Sequence, residues 1–271
     1  MSIGSSLGLR FAVATTPDLG RDAFVELAAL VARTGGPPLE PVFVPNYAAL
    51  FETVHLHAAD AAWCPPLVAR DLVRVAAADP IATVLRGGTD HYYAALVALR
   101  DSRVRKLDDL AWARIGWVSR LSAAGYVVPR DYLLSLGYEV DAMNARFFHT
   151  HGECVNALLD GRVDVIGTYA TPRGESFVIP EPIADARILG VAGHIPGDVI
   201  VVARGASRES GRRLADALRN GFFAPRGPLA SLMNASGFGF VPPDHLDSLT
   251  RWVERSTNAS LRVIARTGIP V

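Results

Sequence analysis

The sequence predicts an α/β chain folded as a two-lobed clamshell with two crossover segments. Short β-rich runs alternate with helical periodicity through the first half, which implies βαβ units and a mostly parallel sheet. The same alternation restarts after Tyr93–Leu99, implying a second sheet. Two extended apolar segments, near 93–99 and 195–203, stand where such a chain would cross between lobes and return. The expected boundaries are 1–95 for the first part of lobe one, 96–195 for lobe two, and 196–271 for the completion of lobe one with the C-terminal helices. A single doubly wound domain with a helical tail fits the same composition.

In chain order, Leu9–Thr15 reads as a strand and Asp22–Arg33 as a helix with Phe24, Leu27, Ala28 and Val31 on one face. Gly35, Gly36, Pro37 and Pro38 punctuate the return to a strand at Glu40–Val44. Asn46 caps a helix running to His57. Asp60–Cys64 is a short strand stopped by Pro65 and Pro66, and Ala82–Leu85 is another. After the long apolar strand Tyr93–Leu99 come a helical turn at Leu107–Leu110, a strand at Ala113–Val118 and a helix over Ser122–Leu136. Ala145–Phe148, Val163–Tyr169, Arg187–Val191 and Val199–Val202 complete the expected strands. Glu153–Leu159, Glu209–Phe222, Pro228–Asn234 and Asp244–Arg255 are expected helices.

Composition excludes several classes of function. Half of the 271 residues are hydrophobic and 20% are charged, with 27 Lys+Arg against 27 Asp+Glu. That is enough apolar sequence for a buried core, and the balanced charge points to no nucleic-acid partner. Lys106 is the only lysine, so the basic side is arginine. Cys64 and Cys154 form no disulfide framework or four-cysteine zinc site. No stretch approaches the roughly 20 apolar residues of a membrane-spanning helix. The N-terminus shows no basic stretch followed by an apolar one, so the chain as written is expected in the cytoplasm, or in the periplasm if a leader was removed.

The most informative segment is Gly116–Pro129. A strand ends, and Ser122-Ala123-Ala124-Gly125 then opens a helix with small residues where free backbone N–H groups point outward. Such a terminus favours an anion, which the Ser122 hydroxyl can also reach. The spacing equally fits an ordinary serine N-cap. Thr15 ends the first strand, where a cleft-facing hydroxyl or a turn is expected. Trp63 is either an aromatic wall or a core residue, and Cys64 a buried inert thiol. Asp164 either faces the ligand or hydrogen-bonds a loop. His149-x-His151 and His55-x-His57 lack the further ligands a metal site needs. No metal, cofactor or catalytic residue is expected.

Several segments in order resemble the phosphonate, phosphite and phosphate substrate-binding proteins of ABC transporters, of the type 2 periplasmic-binding-protein fold. They are Tyr47-x-x-Leu50, Asp60-Ala-Ala-Trp-Cys-Pro-Pro66, Tyr92-Tyr93, Arg100-Asp-Ser102 with Leu107-Asp-Asp-Leu110, Ser122-Ala-Ala-Gly125 with Pro129, Thr150-His151 and Gly161-Arg-Val-Asp164. The resemblance covers roughly residues 9–203 and implies a solute-binding or sensor protein with a small anion, phosphonate- or phosphate-like or a carboxylate, held between the lobes. The family's anion loop is usually Ser-Thr-Ser-Gly, so Ala123 and Ala124 replace two hydroxyl donors. Thr150 and His151 match a Ser-His pair, and Tyr47 and Tyr93 match hydroxyls that reach the ligand from the first lobe. An ABC-transporter permease is the implied partner if the chain is exported. The second class of function is a cytoplasmic lyase on the same scaffold, acting on a chorismate-derived or related acid. A pair of titratable groups placed for acid/base work is missing, which favours ligand binding.

Overall fold

The computed structural model describes residues 8–255 except 175, 180–182, 184, 222–226 and 230–234. The first half contains β1 (Leu9–Ala14), α1 (Pro17–Arg33), β2 (Leu39–Val44), α2 (Tyr47–His55), β3 (Ala61–Cys64), α3 (Pro66–Arg74), β4 (Ala78–Leu85) and β5 (His91–Leu99). A 3-10 turn at Leu107–Ala111 leads to β6 (Arg114–Trp117), a π turn at Ala123–Val127, α4 (Val128–Ser135) and β7 (Asn144–Phe147). Then come α5 (His151–Leu159), β8 (Val165–Arg173), β9 (Ser176–Val178), β10 (Ala186–Pro196), β11 (Val199–Ala203), α6 (Arg208–Asn220) and β12 (Gly237–Gly239). Residues 247–255 are helical.

Two of the departures from expectation trace to proline. Pro65-Pro66 stops β3 as expected, but Pro66 also sits in the first turn of α3, where its missing N–H costs nothing. The expected single helix Ser122–Leu136 divides into the π turn and α4. Pro129 has no N–H to offer the Gly125 carbonyl, which accepts from the Val118 N–H at 3.1 Å instead. The expected helix Pro228–Asn234 lies mostly outside the described residues.

The chain divides into two compact units. One runs up to His91 and takes Pro196–Leu246; the other is Tyr92–Ile195 and continues from Asp247. The last helix therefore belongs with the second unit, although everything after 196 was expected in the first. Arg255 accounts for this, donating to Asp131 of α4 from Nε at 3.0 Å and Nη2 at 2.8 Å. Tyr93 also falls in the second unit, because β5 pairs with β8 along its length.

The first unit is a six-stranded mixed sheet ordered β12-β4-β11-β3-β1-β2. The period of two along β1 sends Phe11 and Val13 to the side of α1 and α6, where they meet Phe24, Leu27 and Leu214. Ala12 faces α2 and α3 with Leu50, Val54 and Leu72. The second unit is ordered β10-β5-β8-β6-β7, with β9 paired to β8. Val97 and Ile166 pack with Val155 and Leu158 of α5, while Leu96 and Trp117 pack with Leu133 of α4.

The two units share one construction. In the first, the Asp60 carboxylate accepts from Arg10 N at 2.9 Å, Nε at 3.1 Å and Nη2 at 2.8 Å, tying β1 to the start of β3. In the second, Asp164 accepts the same three bonds from Arg114 at 2.8, 2.9 and 2.8 Å, tying β6 to the start of β8. The two arginines and the two aspartates are each separated by the same 104 positions. Arginine hydrogen bonding holds both carboxyl groups below their usual pKa. A depressed carboxyl stabilises the fold above its ordinary pKa of about 4, and that stabilisation is lost as pH falls through the depressed value. Asp60→Asn and Asp164→Asn should each lower stability by about 1 kcal/mol at pH 7, the pairs being half exposed. Urea unfolding should show the deficit closing below about pH 4; a deficit independent of pH would contradict the assignment.

Candidate functional site

In the second unit the segment after β6 is built around Ser122. Its backbone is extended, and its Oγ accepts from the Gly125 N–H at 3.0 Å. The Val127 N–H reaches the Ser122 carbonyl at 3.0 Å, which widens the turn to the π form. The N–H groups of Ala123 and Ala124 then have no acceptor among the described residues. Ser122, Ala123 and Ala124 are all buried. Buried backbone donors at a helix start are seldom left unpaired, and there they make a receptor for an anion. Of the three expected N–H donors, Gly125 is therefore engaged by Ser122, and two remain with the Ser122 O–H.

The position of this segment depends on glycine at 167. A Cβ there would lie 2.8 Å from the Trp117 ring and 3.1 Å from the Gly125 carbonyl, so its absence lets both approach β8. Thr168, the next residue, is fully buried and lies 3.2 Å from His151 Nδ1. The His151 ring also stands edge-on to Tyr169 at 5.3 Å, and Tyr169 meets Tyr92 at 6.4 Å. Thr150 caps α5, its Oγ1 accepting from Glu153 N–H at 3.1 Å, so its oxygen fixes the helix start that carries His151. Tyr93 stands on the opposite face of β5 from Tyr92, against Phe177 at 4.9 Å and His194 at 5.8 Å.

In the first unit, Tyr47 opens α2 behind its Asn46 cap, whose side chain accepts from Ala49 N–H at 2.9 Å. Burial, then the nearby Asp198 charge, push the Tyr47 hydroxyl pKa up, with Arg86 opposing. Asp198 Oδ2 accepts from Arg86 Nη2 at 2.7 Å and from the Trp63 indole N–H at 3.0 Å. This pair is nearly buried, the side chains being 10% and 15% exposed, so the polar end of the first unit is internally neutralised. Thr15 is half-buried just past β1, its methyl in the space a Gly20 Cβ would occupy.

Two expected ligand residues have other partners. Trp63 is a core residue, 4% exposed and edge-on to Phe238 at 5.7 Å, with only its N–H directed at Asp198. Asp164 lies at the amino end of β8, away from Ser122 and His151, and is bound by Arg114. Burial and Asp198 push the Cys64 thiol pKa up, leaving it unreactive. Thr168, Tyr169, Arg86 and Asp198 escaped the sequence reading. Gly167-Thr168-Tyr169 at the end of an apolar run and Asp198 after Pro196-Gly197 were the available signals. Among the described residues no three His, Cys, Asp or Glu side chains gather as a metal site, and no helix is long and apolar enough to cross a membrane.

Two mixed α/β sheets with helices and crossover strands make the type 2 periplasmic-binding-protein fold. The chain belongs to the family described as "ABC transporter, phosphonate, periplasmic substrate-binding protein", which it matches over residues 11–249. A curated relative, the phosphonates-binding periplasmic protein of Escherichia coli K12, is 26% identical over 197 residues. That match takes in 68% of this chain and 57% of the relative's length. Among solved structures, a binding-protein component of an ABC phosphonate transporter from Pseudomonas aeruginosa superposes with a TM-score of 0.77 at 19% identity, covering 94% of this chain and 88% of that one. PhnD1 from Prochlorococcus marinus, in complex with methylphosphonate, gives 0.73 at 14% identity, covering 91% and 96%.

Loss of the Ser122 cap in Ser122→Ala should cost about 1 kcal/mol of stability. Gly167→Ala should cost about 1–3 kcal/mol, because Trp117 or Gly125 must move. Gly152→Ala, with nothing within 4 Å of the added methyl, should be neutral or stabilising. Chemical unfolding of the three variants checks this order, and equal values for the two glycine variants would contradict the close approach at 167.

Proposed function

We propose that this chain is the solute-binding component of an ABC transporter, working outside the cytoplasm, and that it holds a small phosphonate with an uncharged substituent at the Ser122 segment. The observation that carries the reading is the pair of buried, acceptorless N–H groups at Ala123 and Ala124 beside the Ser122 hydroxyl. His151, oriented by Thr168, adds a side-chain donor from the neighbouring helix start, and Tyr93 a hydroxyl from β5. Two backbone donors and a few hydroxyls suit the three oxygens of a phosphonate, and the methyls of Ala123 and Ala124 leave its carbon substituent in apolar surroundings.

The uncharged substituent follows from the methyls of Ala123 and Ala124, beside which a ligand ammonium would lose its water without gaining a partner. Family membership supports the transporter role, the relative named as periplasmic supports the compartment, and the methylphosphonate complex of PhnD1 supports the ligand class. The permease is then the membrane partner.

Calorimetric titration with methylphosphonate, 2-aminoethylphosphonate, phosphate and a carboxylate panel tests the proposal. Methylphosphonate should bind, raise the melting temperature and be recovered unchanged, while 2-aminoethylphosphonate binds at least tenfold more weakly. His151→Ala should cost about 1–3 kcal/mol of binding. Turnover of an organic acid, or binding of carboxylates in preference to phosphonates, would overturn the reading.

A further inference from the structure

The first unit has a second concavity that the proposed ligand site does not use. It is a cavity of about 680 Å3 between the start of β4, the end of β11 and the first turns of α6. Because β11 runs antiparallel to β3, with Val199 beside Cys64 and Val202 beside Ala61, this cavity lies at the amino end of β3. Asp198 and Tyr47 are at the other end, about 13 Å away at some 3.3 Å per strand residue.

Its floor is apolar, formed by Ile81, Val202 and Ala206, and its rim carries Arg204, Arg208 and Arg212 against the single carboxylate of Asp79. Arg204 holds Asp79 at 3.0 Å and Arg212 holds Glu209 at 2.7 Å, with every one of these side chains at least half exposed. Exposed pairs of this kind contribute little, so either guanidinium can turn to a better anion at small cost. Arg208 forms no ion pair among the described residues.

A pairing strand is not the occupant. β12 covers β4 only from Thr83 to Leu85, but the open stretch before it contains Pro80, which has no N–H, and Ile81, whose carbonyl accepts from Arg219 at 3.1 Å. A volume of this size matches a small-molecule site, and the excess of guanidinium groups around an apolar floor matches a doubly charged head on an apolar body. We infer that this cavity binds a phosphate monoester with an aryl or similarly apolar body, at a site separate from the phosphonate site.

Phenyl phosphate and inorganic phosphate serve as probes on the full chain. Calorimetry should give saturable phenyl phosphate binding that weakens at least tenfold in the Arg208→Ala/Arg212→Ala variant and less in Arg208→Lys/Arg212→Lys. Inorganic phosphate should be at least tenfold weaker at this site, since it leaves the floor untouched. Hydrogen exchange on the unaltered chain should slow in peptides spanning 203–211 when phenyl phosphate is added. Unchanged exchange there, equal affinity of the double alanine variant, or equal affinity for the two probes at that site would each overturn the assignment.

Discussion

The arginine–aspartate clamp at the amino end of each sheet is the constraint on which the rest of the structure depends. Arg10 with Asp60, and Arg114 with Asp164, join a first strand to a third by three hydrogen bonds apiece. In a parallel pair a slip of one residue would turn every buried side chain to the wrong face. The clamp prevents that slip, giving Phe11 beside Ala61 in one unit and Ile115 beside Val165 in the other. With the amino ends fixed, the opposite ends and the helix starts near them fall in equivalent places. Asn46 and Thr150 both cap the second helix, and Tyr47 and His151 both open it, again 104 positions apart.

Function arises where the two copies of this plan diverge. The count that pairs Tyr47 with His151 also pairs Trp63 with Gly167 and Cys64 with Thr168. In the first unit the large indole fills the core and donates, with Arg86, to Asp198. In the second, the missing side chain at 167 admits Trp117 and the Gly125 carbonyl, which sets the Ser122 segment beside β8.

Much of the fold was legible because periodicity and capping are local signals. Asn46 caps its helix as read, and the crossover strands lie where long apolar runs placed them. The serine cap at Ser122 was legible from that residue and the small residues after it. The misplaced features depend on partners distant in sequence. The two readings of Asp164 are separated only by Arg114, 50 positions earlier, and those of Trp63 only by Phe238. The role of Gly167 is a contact with Trp117 and Gly125, and no pattern around 167 announces it. The last helix joins the second unit through Arg255 and Asp131, a pairing across 124 positions.

In the proposed function an anion is held by the backbone donors of Ala123 and Ala124. The most direct measurement is the set of amide 15N and 1H shifts of the full chain during titration with methylphosphonate. The Ala123 and Ala124 amide protons should move strongly downfield and saturate together with the calorimetric binding curve, while Gly125, already bonded to Ser122, moves less. Saturable binding that leaves the Ala123 and Ala124 amides unmoved would contradict the account.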